Sequence, residues 1–91
     1  MDAVHILRVV EVYEKQLKEL SIPPVEHSTN NVLMTPRRGL EHAHWMLSSI
    51  REFAQQGAFD TAFRWLGFVQ GILWMTGVYS IDELRNHNRS T

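Results

Sequence analysis

Apolar residues recur at helical spacing through most of the chain, with polar residues on the opposite side. Val4, Ile6, Leu7, Val10, Tyr13, Leu17 and Leu20 make one stripe, faced by Arg8, Glu11, Glu14, Lys15, Lys18 and Glu19. That pattern predicts an amphipathic helix over residues 3–20, with Asp2 as its N-cap. Glu11 with Lys15 and Glu14 with Lys18 are i,i+4 pairs in the favourable order, each contributing roughly 0.2–0.5 kcal/mol. Pro23-Pro24 stops the helix, because proline lacks an N–H and holds the preceding residue in extended backbone. Residues 21–35 show no periodicity and predict a long loop, most simply a crossover connection. Within it, Val32-Leu33-Met34 is expected to pin the loop to the core as a short extended segment.

Thr35-Pro36 opens a second helix, with Thr as N-cap and Pro in the first turn. Leu40, Ala43, Met46, Leu47, Ile50, Phe53 and Ala54 form its stripe, and Gly57 closes it, for a span of about 36–56. A third helix starts near Phe59 or Asp60 and runs to about Met75 or Thr76, where Gly77 stops it. Ser80-Ile81-Asp82-Glu83 is a capping box that begins a short last helix over about 81–87, with residues 88–91 expected to fray. The few residues between the second and third helices make them antiparallel neighbours. The expected fold is all-α: a small bundle built on that hairpin, flanked by an N-terminal helix and a short C-terminal one.

The third helix departs from the amphipathic rule. Arg64-Trp65-Leu66-Gly67-Phe68-Val69-Gln70-Gly71-Ile72-Leu73-Trp74-Met75 is apolar on nearly every side, and a helix without a solvent face must be surrounded by protein. It is too short for a bilayer, which needs about 20 apolar residues. Two neighbouring stripes cannot cover its whole circumference, so a homo-oligomer is expected, most simply a two-fold dimer. Trp65, Phe68, Ile72 and Trp74 are the interface candidates. Gly67 and Gly71 lie one turn apart and suit a close backbone approach, either inside the hairpin or between subunits.

Composition narrows the chemistry. The 91 residues suit one domain spanning 1–91. A net charge of −1 supplies no general pull toward nucleic acid or anionic lipid. With no cysteine, disulfides, thiolate catalysis and zinc-thiolate sites are excluded. Met1-Asp2-Ala3-Val4-His5 has neither the basic nor the apolar region of a signal peptide, so a cytoplasmic location is expected.

Arg37 and Arg38 sit in the first turn of the second helix, where cations oppose the helix dipole and free N–H groups attract anions. With His42 and Arg64 they form the candidate anion or ligand site, against the plainer reading of solvated arginines paired with a loop glutamate such as Glu26. His42 and His44 are two residues apart and point to different sides of a helix, so no metal site or cofactor is expected. Glu11 and Glu14 lack a matching acidic pair on another helix, and Asp60 with Arg64 reads as a local ion pair. No catalytic constellation emerges, and the expectation is a non-enzyme.

Three runs carry a family resemblance: His42-Ala43-His44-Trp45-Met46-Leu47, Arg64 through Trp74, and Ser80-Ile81-Asp82-Glu83-Leu84-Arg85 with His87-Asn88. Over about 42–88 the chain resembles a group of small proteins encoded by tailed bacteriophages and prophages. The resemblance implies an accessory protein acting in the host cytoplasm by binding a host protein or countering host defence. A second reading is an oligomeric sponge for nucleotides or second messengers, using Arg37, Arg38, His42 and Arg64 at subunit boundaries. A third is a weak nucleic-acid-binding helical protein reading DNA with the second helix, which the near-neutral charge disfavours.

Overall fold

Helices α1 (Ala3–Glu19), α2 (Pro36–Gln55), α3 (Phe59–Met75) and α4 (Ile81–Asn88) follow one another along the chain. The computed structural model describes residues 2–27 and 33–89, and no strand occurs among them. The expected all-α architecture is the one observed, each boundary lying within about a residue of its expected place.

The helix starts are chemically marked. Asp2 Oδ1 accepts from the His5 N–H at 2.9 Å, and Thr35 Oγ1 accepts from the Arg38 N–H at 3.2 Å. In the capping box, Ser80 Oγ accepts from the Glu83 N–H at 3.1 Å, while Glu83 Oε1 accepts from the Ser80 N–H at 3.0 Å. α3 begins at Ala58 without a side-chain cap, and Asp60 in its first turn supplies the charge its dipole favours.

α1, α2 and α3 share one ending. After α2, the Gly57 N–H bonds Ala54 O at 3.2 Å and the Ala58 N–H bonds Phe53 O at 2.8 Å, the paired closure that needs a left-handed residue after the helix. Gly57 takes that conformation at φ 78°. Gly77 repeats the arrangement after α3. After α1 the same place is held by Ser21 at φ 60°, with Ile22 N–H on Leu17 O at 2.9 Å.

α2 lies between α1 and α3 and packs on both. Ile6, Val10, Tyr13 and Leu17 of α1, Ala43, Leu47 and Ile50 of α2, and Ala62, Leu66, Val69 and Leu73 of α3 join one buried core. Leu84 anchors α4 to it. Each fully buried apolar side chain contributes roughly 1.5–3 kcal/mol relative to exposure.

Two expectations about the connections are corrected. Leu33 is 87% and Met34 52% exposed, so neither pins the loop, and Val32 lies outside the described residues. Ile22 pins it instead: its side chain is buried, and its carbonyl accepts from His44 Nδ1–H at 2.7 Å. Further along, the Val25 N–H bonds Glu41 O at 3.1 Å. At the other end, Asn88 does not fray but completes α4, because its amide has a partner on α3. Ser90 and Thr91 lie outside the described residues.

Candidate functional site

The intramolecular packing uses one side of α3 and leaves the other open. Ala62, Leu66, Val69, Gln70 and Leu73 are buried, whereas Phe68 is 60%, Trp74 49% and Met75 76% exposed. Gly67 and Gly71 belong to this open side, and a Cβ built on either meets nothing within 4 Å. The α2 glycine that meets α3 inside the hairpin is Gly39, whose Cβ position lies in ordinary contact, 3.6 Å, with Ile72 Cγ2. The two glycines on α3 therefore face outward. Of the other interface candidates, Trp65 and Ile72 are half-buried against the core.

Two open clefts flank this face. One, of about 540 Å³, lies between the start of α2 and the end of α3. Met34, Pro36, Gly39, Phe68, Ile72 and Met75 line it, and no residue bordering it is charged. The second, of about 400 Å³, is lined by His42, Trp45, Met46, Arg64, Trp65 and Phe68. Its floor is an aromatic chain in which His42 stacks on Trp45 at 5.3 Å and Trp45 meets Trp65 at 6.4 Å; Phe53, outside the cleft, meets Trp65 edge-on at 5.0 Å. Phe68 borders both clefts.

The structure brings together two of the four anion candidates. His42 and Arg64 share the aromatic cleft, which Arg37 and Arg38 do not line. Arg37 pairs with Glu41 at 3.5 Å, one turn along its own helix, and Arg38 Nη1 donates to Leu33 O at 2.9 Å. Arg64 does not pair with Asp60: its Nη2 donates to Thr61 Oγ1 at 3.4 Å, and it makes no ion pair with a described residue. His42 Nδ1 accepts from the His27 N–H at 3.0 Å, so the neutral ring carries its proton on Nε2. Burial, followed by the neighbouring His27, holds its pKa below the ordinary histidine value. Glu41 also accepts from His27 Nε2 at 2.8 Å, and Glu14 is engaged by Arg51 across α1 and α2.

A polar network behind α3 has no counterpart in the sequence reading. The Tyr13 hydroxyl donates to His87 Nδ1 at 2.8 Å and accepts from Gln70 Nε2 at 3.0 Å. Gln70 and Asn88 exchange amide bonds at 2.6 and 3.1 Å, and His5 Nε2–H donates to His87 O at 2.7 Å. The Tyr13 and Tyr79 rings pack on each other and on His87. Burial pushes the Tyr13 hydroxyl up to about 12 and pulls the His87 imidazole below its ordinary value. This set ties α4 to α1 and α3. The one signal for it in the sequence is Gln70, a lone amide within an apolar helix. Met46 was legible only as a core position and Trp45 only within the run that carries the family resemblance, although with His42 they form an i, i+3, i+4 row.

Set against known protein families, curated proteins and solved structures, the chain matches none of them. Among the described residues no helix is long and apolar enough to cross a membrane.

Proposed function

We propose that this protein acts by binding rather than by catalysis, as a homodimer joined through the outward face of α3. The observation that supports this reading is the uncharged run of Gly67, Phe68, Gly71, Trp74 and Met75 left open on α3. A mid-helix glycine costs roughly 0.5–1 kcal/mol relative to alanine, and no contact within the chain offsets that cost at either position. The large side chains beside the glycines form knobs next to a hollow. A surface of that shape is complementary to its own copy about a two-fold axis, each knob seating on the other helix's glycines. Because no residue bordering the adjacent cleft is charged, a second copy of the same apolar face fits it better than a charged peptide.

The family resemblance extends the proposal to a phage accessory protein, working in the host cytoplasm by engaging a host protein or countering host defence. Association is tested by acrylamide quenching of Trp74 fluorescence in a Trp45→Phe, Trp65→Phe background. Trp74 is expected to be shielded at micromolar concentration and to become accessible on dilution, with Phe68→Asp accessible throughout. Quenching of wild-type Trp74 as strong as in Phe68→Asp at every concentration would overturn the dimer. Turnover of a nucleotide or nucleic acid that disappears on changing one polar residue would overturn the binding role.

A further inference from the structure

We infer that the cleft between α2 and α3 is a binding site for a planar aromatic anion, with a nucleoside monophosphate as its model ligand. The lining residues are His42, Trp45, Met46, Arg64, Trp65 and Phe68. No carboxylate is among them, although Glu26 acts on His42 from outside the lining. Arg64 is an exposed guanidinium without an ion pair among the described residues, and it stands one helical turn from Phe68. A guanidinium is the side chain best matched to a phosphate, through paired, charge-assisted N–H donors. His42 adds a neutral donor: its Nδ1 is taken by the His27 N–H, and its Nε2–H has no described partner.

The aromatic floor explains the planar half of the ligand. At 6.4 Å, Trp45 and Trp65 already touch each other and leave no slot for a ring between them. A ligand ring therefore lies on the open side of the indoles, and its phosphate reaches Arg64. Stacking of this kind tolerates any base, because every base presents a π-face. The volume of about 400 Å³ falls within the range of small-molecule pockets, roughly 300–1,000 Å³.

The test follows the three indole N–H signals in proton–nitrogen correlation spectra during titration with adenosine monophosphate. Saturable shifts are expected at Trp45 and Trp65, with Trp74 unmoved as an internal control. Arg64→Gln is exposed and leaves the core intact, so its free spectrum should match the wild type while affinity drops about tenfold or more. Adenosine should bind more weakly by a similar factor, and inorganic phosphate alone should leave the indoles in place. No saturable shift up to about 1 mM, an equal shift at Trp74, or unchanged affinity in Arg64→Gln or with adenosine would overturn the assignment.

Discussion

Ser21 is the residue at which sequence and backbone disagree most openly. It ends α1 at φ 60°, in the left-handed region that is costly for any residue with a Cβ. Glycine takes the equivalent places after α2 and α3. Ser21→Gly should therefore stabilise the fold by about 0.5–1 kcal/mol, read from the urea midpoint; an unchanged or lower midpoint would contradict the strain. Tyr13 is the opposite case, a fully buried phenol whose hydroxyl is shared by His87 and Gln70. Tyr13→Phe keeps the ring but leaves both partners short of a bond, and should cost about 1–3 kcal/mol. Full retention of stability would mean that water replaces the hydroxyl.

At the scale of elements, acid should loosen α4 first. His87 and His42 both have folded pKa values below the ordinary 6.5, chiefly because burial disfavours the charged ring. Each binds fewer protons folded than unfolded, so stability falls as pH drops through 6.5 and rises with pH across that window. Glu83 is the charge on α4 that opposes the shift of His87. Hydrogen exchange at decreasing pH should show α4 losing protection before α2; simultaneous loss would contradict a separate latch. The helices themselves were legible because their caps and stripes are local features. Asp2, Thr35-Pro36 and the Ser80–Glu83 box mark starts, and Gly57 and Gly77 mark ends, without reference to the rest of the fold. The latch was not legible, since Tyr13, Gln70 and His87 come from three helices far apart in sequence and meet only after packing.

The whole molecule poses the question that α3 raises. In sequence, Gly67 and Gly71 fit a tight hairpin as well as an interface, because spacing cannot say which neighbour a helix face meets. Within the chain, Gly39 rather than either of them meets α3, and the other two glycines open outward. The cluster of Arg37, Arg38, His42 and Arg64 was half legible for a similar reason. His42 and Arg64 converge because the hairpin brings their helix faces together, while Glu41 and the Leu33 carbonyl draw Arg37 and Arg38 away. Gly67→Ala separates local from intermolecular effects. In the isolated chain it should add about 0.5–1 kcal/mol of helix stability, while at micromolar concentration it should weaken association. A variant stabilised at every concentration would argue that nothing approaches that face.

The dimer through α3 is tested most directly by light-scattering mass on the eluting peak at micromolar concentration. The expected mass is twice the 10.6 kDa of the chain, falling to that of one chain in Phe68→Asp with its helical content unchanged. A wild-type mass of a single chain would contradict the dimer.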